Sequence, residues 1–122
     1  MPLHKNDNDV MGYNAPKILA AKLPISTISD TEAGLTKIKG RLKLVQIRPT
    51  DKPGLFLYEA NITDKSGTLR AIWYNSRYIK YVSSNKEYIF LGEIQLRHGV
   101  KTIVSAIFTT PEEIVSWSKR LK

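Results

Sequence analysis

The sequence predicts an all-β fold: a five-stranded barrel with a short helix between strands three and four, plus short terminal helices. Five segments beyond Leu35 alternate apolar and polar residues with a period of two, as expected of strands with one buried face. Turns rich in Gly, Pro and Asp separate these segments. The one stretch among them with helical spacing follows the third strand.

The chain has room for one domain, because it contains 122 residues of which 42% are hydrophobic. In the N-terminal part, Pro16 is placed to open a short helix over Lys17–Lys22 that stops before Pro24. A second short helix is expected at Glu112–Leu121, with acids in its first turn and bases near its end. We therefore divide the chain into an N-terminal tail or linker (1–34), a barrel domain (35–110) and a C-terminal short helix or tail (111–122).

The first strand is predicted at Ile38–Arg48, where apolar and basic residues alternate. Its apolar face runs from Ile38 to Leu44. Val45 and Ile47 then continue the apolar set one residue out of phase, which is the pattern of a β-bulge. Gly40 allows a tight bend in the same strand. A long, bent first strand follows from these features.

The next two strands, Leu55–Thr63 and Thr68–Tyr74, form a hairpin. Its turn is Asp64–Gly67, in which the Asp64 side chain can bond the backbone and Gly67 is suited to a positive φ. The following stretch, Ser76–Ser83, has apolar residues three and four apart and is predicted as the short helix.

The last two strands are Tyr88–Arg97 and Val100–Phe108, joined by a tight turn at His98 and Gly99. Gly92 interrupts the fourth strand where a barrel would bend. Five strands with a helix between the third and fourth is the element order of an OB fold. A five-stranded meander or an SH3-like barrel is the alternative.

The net charge of +8 is concentrated in the predicted barrel. Residues 35–108 contain thirteen Lys and Arg and five Asp and Glu, whereas the two tails contain six of each sign and cancel. Such a basic surface attracts polyanions, although it also serves solubility alone. The chain shows no cysteine, signal peptide or membrane-length apolar run, so we expect a cytoplasmic protein without a membrane partner.

Four segments of the predicted barrel carry features shared with known domains: Ile38–Leu42, Thr63–Leu69, Trp73–Ile79 and Tyr88–Ile94. They resemble the wedge domain of RecG-type branched-DNA helicases and, more loosely, anticodon-binding and polymerase-associated OB domains. The part specific to the wedge is an aromatic-Asn-x-x-Tyr motif, met by Tyr74–Tyr78. The resemblance covers roughly Leu35–Thr110. It implies a role in DNA recombination and repair, with Tyr74 and Tyr78 stacking on bases at a branch point.

The chain departs from a whole helicase because it has no G-x-x-x-x-G-K-(S/T) motif and is too short for an ATP motor. The resemblance therefore implies either a non-catalytic part of such an enzyme, with the motor domain as a partner, or a stand-alone relative. In both cases the expected ligand is nucleic acid, with single-stranded or branched DNA favoured. No cofactor is expected.

The binding residues are expected on the outer face of strands two and three and at neighbouring strand ends. Alternation places Trp73 in the core and Tyr74 outside, beside outward cations; Tyr58, Tyr88, Phe56 and Phe90 are expected in the core. An outward aromatic amid cations suits unpaired bases and their phosphates. The predicted contact residues are Tyr74, Tyr78, Arg70, Arg77, Lys80, Arg48, Arg97 and Lys101.

Catalysis finds little support in the sequence. His4 and His98 are far apart, and Asp51, Glu59 and Asp64 lack the spacing of a metal-binding carboxylate cluster. The alternative function is a protein-interaction adaptor. It would use an outward apolar stripe formed by Leu55, Leu57, Ile89, Leu91, Ile103 and Ile107, unless the tails or a partner domain cover those residues.

Overall fold

The computed structural model describes residues 14–74 and 85–120. An α-helix, α1, covers residues 14–20, and a 3-10 turn follows at Ile28–Asp30. The strands and the last helix are β1 (Gly34–Pro49), β2 (Phe56–Asp64), β3 (Gly67–Tyr74), β4 (Glu87–Arg97), β5 (Val100–Thr109) and α2 (Pro111–Arg120).

The five strands close into a barrel in the order β1-β2-β3-β5-β4. Strands β3 and β5 pair in parallel, from Arg70 opposite Thr102 to Ile72 opposite Val104, and the other neighbours are antiparallel. A meander would pair β3 with β4, so the inserted β5 distinguishes the OB arrangement and confirms the predicted barrel. The helix predicted at Ser76–Ser83 lies outside the described residues. The two α-helices that are described, α1 and α2, are both terminal.

Two bulges bend the barrel. The register of β1 shifts between Leu44 and Gln46, which confirms the bulge predicted at Val45. A second shift lies between Leu91 and Glu93. There Gly92 permits close approach of the strands, because a Cβ atom on it would stand 2.9 Å from the Cα of Ala106.

Aromatic rings fill much of the core. Trp73, Tyr88, Phe90 and Phe108 are at most 4% exposed, and the Phe108 ring packs edge-on against Trp73 and Tyr88 at centroid distances of 6.0 and 5.5 Å. The indole Nε1 of Trp73 donates to the carbonyl of Ala106 at 2.8 Å. The core positions predicted for Trp73, Tyr88 and Phe90 are confirmed, and Tyr58 packs against this core.

Phe56 and Ile103 occupy positions opposite to those predicted. Phe56 is 42% exposed at the start of β2, where it pairs with Pro49 at the end of β1. Ile103 is fully buried in the core because the second bulge shifts the alternation of β5 by one residue. The predicted positive φ at Gly67 is also wrong. In that turn the Ser66 and Gly67 N–H groups donate to Asp64 Oδ1.

The predicted outward apolar stripe is covered. Its members other than Ile103 are buried (Leu57, Ile89) or half-buried (Leu55, Leu91, Ile107). Helix α1 contributes to this cover: the Nδ2 atom of Asn14 donates to the Phe108 carbonyl on β5, and Lys37 on β1 donates to the Ala21 carbonyl. These two bonds fix residues 14 and 21 on β5 and β1, the two strands that flank β4, on which Ile89 is buried.

The chain between α1 and β1 also packs on the barrel. Ser26 forms a parallel bridge with Ile38, and the backbone N–H of Ile28 donates to Asp64 Oδ2 at 2.8 Å. The short N-terminal helix predicted at Lys17–Lys22 exists, but it ends at residue 20. The chain bends at Ala21, where the Leu23 N–H donates to the Ala21 carbonyl.

Candidate nucleic-acid interface

Tyr74 lies at the end of β3 with 41% of its surface exposed, next to the buried Trp73. In the sheet register, Arg48 on β1, Leu57 on β2 and Tyr74 on β3 stand side by side, so their side chains share the outer face. Arg97 on β4 donates from Nη1 to the Tyr74 hydroxyl at 3.4 Å. The structure thus brings three of the predicted contact residues to one edge of the barrel.

A glutamate occupies the middle of the same face. Glu59 accepts from Gln46 Nε2 at 2.9 Å and from Arg70 Nε at 2.9 Å, and Arg48 Nη2 stands 3.9 Å from it. The hydrogen bond from Gln46 lowers the pKa of Glu59; partial burial opposes this shift and Arg70 reinforces it. Glu59 is therefore a carboxylate held ionised between two arginines.

Arg70 is engaged within the sheet. Its side chain points to the outer face as predicted, but it is only 19% exposed and is paired with Glu59. Arg48 is 49% exposed and lies at the limit of an ion pair, so its guanidinium retains donors facing solvent.

Lys101 stands apart from this edge. Its ammonium donates to the carbonyl of Thr31, and so it ties β5 to the chain that precedes β1. The predicted contact residues Arg77, Tyr78 and Lys80 lie outside the described residues.

Sequence reasoning passed over a row of cations on β1. Lys39, Arg41 and Lys43 are exposed and alternate with the buried Ile38, Gly40 and Leu42. The signal was available, because a cation at every second position of a half-buried strand must lie on its solvent face.

Asp64 and His98 have structural roles in turns of the barrel. Asp64 accepts four hydrogen bonds, from Ile28 N, Ser66 N, Ser66 Oγ and Gly67 N. Partial burial opposes the effect of these bonds, yet together they lower the pKa of Asp64. His98 and Gly99 have φ values of 53° and 77° and form the β4–β5 turn. Within residues 14–74 and 85–120, no three His, Cys, Asp or Glu side chains are grouped as metal ligands. None of the helices in those ranges could span a membrane.

No protein-family model matches the chain, and neither does any curated protein sequence. Solved structures do share its fold. RecG bound to a three-way DNA junction superposes with a TM-score of 0.60 at 19% identity over 75% of this chain, which is 13% of the RecG chain. This chain therefore spans only a small part of the RecG length.

Two other OB domains are similar over most of their own length. An OB domain from Thermoplasma acidophilum superposes with a TM-score of 0.59 at 11% identity, covering 70% of this chain and 85% of that one. The second OB-fold domain of replication protein A from Methanococcus maripaludis has a TM-score of 0.56 at 14% identity, covering 73% and 96%. With the closed strand order and the parallel β3–β5 pairing, these likenesses show that the chain has the OB fold.

Proposed function

We propose that this protein binds single-stranded or branched nucleic acid at the edge where Tyr74, Arg97 and Arg48 meet. The observation that supports this most directly is the exposed Tyr74 ring, which has one guanidinium hydrogen-bonded to its hydroxyl and another in the same row. An aromatic ring in this setting can stack on an unpaired base while the arginines contact the flanking phosphates. No catalytic step is part of the proposal.

The charge of the barrel favours a polyanionic ligand. Strand β1 carries five Lys and Arg and no Asp or Glu from Gly34 to Pro49. Phosphate contacts of this kind release counterions, so binding should weaken steeply as salt is raised.

Branched DNA is the finer part of the proposal. It is supported by the Tyr74–Tyr78 motif resembling the RecG wedge and by the similarity of the barrel to part of a RecG structure that holds a three-way DNA junction. In this proposal Tyr74 packs against the terminal base pair at the branch point. The corresponding contact of Tyr78, which lies outside the described residues, is carried over from the resemblance alone.

The test is a fluorescence-anisotropy titration of single-stranded, duplex and forked DNA at about 50 mM salt, where electrostatic binding is strong. We expect salt-sensitive binding, with Tyr74→Ala costing about 1–3 kcal/mol of binding free energy and Tyr74→Phe much less, since the phenyl ring still stacks. Val115→Ala, at an exposed site on α2, is the control. Absence of binding to all three DNAs would overturn the proposal. Equal affinity for single strands and forks would remove its branched part.

An adaptor function is the second candidate, favoured by a different set of exposed apolar residues. Val45, Ile47 and Phe56 are 50%, 47% and 42% exposed on the paired segments where β1 ends and β2 begins. Exposed apolar groups close together are typical of surfaces that bind other proteins. The discriminating test is a pull-down: a partner retained after nuclease treatment and by Tyr74→Ala, but lost with Ile47→Ser, would favour the adaptor.

A further inference from the structure

A groove of about 820 Å³ is lined by Lys39–Arg41 in the middle of β1, on the N-terminal side of the bulge and away from the Tyr74 edge. One edge of β1 changes neighbour there: Ser26 bridges to Ile38, and β2 takes over at Arg41, which pairs with Thr63. Lys39 and Gly40 lie between these contacts and line the groove. The groove is therefore a gap between the chain before β1 and the end of β2, with β1 between them.

Cations enter this groove from two sides. Lys39 and Arg41 come from β1, and Lys65 comes from the β2–β3 turn. All three are exposed. Among the described residues, both ion pairs are made by Glu59, so none of these three cations is neutralised by a carboxylate within 4 Å. Arg41 donates one guanidinium N–H to the Asn85 carbonyl, so most of its guanidinium donors remain available.

Two acids also line the groove, and they do not neutralise it. The oxygens of Asp64 are directed to the backbone of Ile28, Ser66 and Gly67 and to the Ser66 hydroxyl, which disperses its charge among four donors. Glu87 is half-buried beside Arg41 in the sheet register. Three cations against these two acids leave the groove with a positive excess.

A row of cations on β1 leads from the groove toward the edge that holds Tyr74. Lys39, Arg41 and Lys43 project outward at alternate positions of β1, about 7 Å apart, and the same strand leads past the bulge to Arg48. The whole row spans about 30 Å. Strand β1 itself carries no acid, but Glu59 of β2 accepts from Gln46 between Lys43 and Arg48, so one carboxylate lies beside the row.

We propose that Lys39, Arg41, Lys43 and Lys65 form a second phosphate-binding site, which holds the sugar–phosphate backbone of a nucleic acid strand extending beyond the Tyr74 edge. This rests on the proposed function and deepens it, because it assigns a path to the strand. A short oligonucleotide occupies the Tyr74 edge alone. A longer one follows β1 into the groove.

The test compares oligothymidylates of about 5 and about 15 nucleotides, within the range that OB barrels cover. The variant Lys39→Gln/Lys43→Gln/Lys65→Gln removes three exposed charges and no hydrogen bond between described residues. Its control, Lys22→Gln/Lys119→Gln/Arg120→Gln, removes three exposed charges outside the barrel. Thermal melting establishes that both variants remain folded.

For the long strand we expect the groove variant to bind at least tenfold more weakly, with a log K against log salt slope shallower by about 2, or about 0.7 for each lost phosphate contact. For the short strand it should bind within about twofold of the control variant. Amide NMR shifts at Gly40, Thr63 and Ser66 should respond to the long strand and not to the short one.

Equal losses for the groove and control variants on the long strand would overturn the second site. The proposed function would then still stand, provided the native protein binds both strands and Tyr74→Ala weakens that binding. A native protein that binds neither strand would overturn both.

Discussion

The Glu59 carboxylate and the Arg70 guanidinium form an ion pair across β2 and β3, with Oε2 and Nε 2.9 Å apart and each side chain less than a fifth exposed. The other carboxylate oxygen accepts from Gln46 and faces Arg48. The pair is diagonal in the hairpin register, since Glu59 stands opposite Ile72 and Arg70 opposite Asn61. One acid thus occupies two arginines on the face proposed to bind phosphate.

Removing the Glu59 charge should therefore strengthen binding. In Glu59→Gln both arginines become available, and we expect nucleic-acid affinity to rise about fivefold, or ~1 kcal/mol. The unfolding free energy should fall by about 1–2 kcal/mol, because Arg70 loses its partner while mostly covered. Anisotropy titration and urea denaturation measure the two effects. Glu93→Gln, an exposed acid on β4 bonded to Gln95, is the matched control. An equal gain in nucleic-acid affinity for both variants would show that the effect comes from the change in net charge alone.

The same carboxylate should make stability depend on pH. The folded state lowers the pKa of Glu59, so its contribution is complete above the ordinary glutamate value of about 4.3 and is lost as the pH falls through the folded-state value. Asp64 acts with the same sign. Melting temperatures between about pH 6 and pH 2.5 should show the native protein converging on Glu59→Gln at the acid end. A gap that stays constant would contradict this linkage.

Two glycines should respond oppositely to alanine. A Cβ on Gly40 would stand 2.8 Å from both Ile62 Cγ2 and the Thr63 carbonyl oxygen, so Gly40→Ala must push β2 away from β1. We expect it to cost about 2–3 kcal/mol of unfolding free energy. Gly67 has space around it and no positive φ, so Gly67→Ala should be neutral or stabilise by up to about 1 kcal/mol. Chemical denaturation of both variants provides the comparison. Similar losses would show that the close approach at Gly40 is not decisive.

Asp64 should hold the chain before β1 as well as the β2–β3 turn. Asp64→Asn replaces one of the two acceptor oxygens by an NH₂ group, which can only donate. The remaining oxygen cannot accept both from the Ile28 N–H and from the Ser66 and Gly67 N–H groups. We expect a loss of about 1–3 kcal/mol and faster amide exchange at Ile28 and Ser29 than in the native protein. Lys65→Gln, in the same turn, is the control. Unchanged exchange at Ile28 would show that the Ser26–Ile38 bridge alone secures this segment.

Much of the barrel follows from local signals in the sequence. The phase slip at Val45 locates the first bulge, and His98–Gly99 locates the last hairpin. The second bulge was missed because Ser105 carries no signal of the left-handed conformation that it adopts, with φ of 51°. Because this bulge was not predicted, Ile103 was assigned to the outer face of β5 instead of the core. The exposure of Phe56 depends on where the start of β2 lies relative to the barrel core, which is a tertiary property.

The candidate site was only partly predictable. Alternation correctly placed Trp73 inside and Tyr74 outside. The Asp64–Gly67 turn also sets the hairpin register, from which the diagonal contact of Glu59 and Arg70 could have been anticipated. The approach of Arg97 to Tyr74 could not have been predicted, because it depends on how the barrel brings the β4–β5 hairpin to the end of β3.

Substitutions at Ser105 test how far the β4–β5 hairpin depends on its bulge. A left-handed conformation costs an L-residue about 1–2 kcal/mol, which glycine avoids at the expense of greater freedom in the unfolded chain. We therefore expect Ser105→Gly to be neutral or to stabilise by up to about 1 kcal/mol, and Ser105→Val to cost about 2 kcal/mol, because a β-branched residue fits this conformation poorly. The glycine variant keeps the bulge and so should keep native DNA affinity. The valine variant strains the bulge that precedes Ala106, whose carbonyl receives the Trp73 indole N–H, and should weaken DNA binding through Tyr74. Native affinity in a destabilised Ser105→Val protein would show that the Tyr74 edge is independent of this bulge.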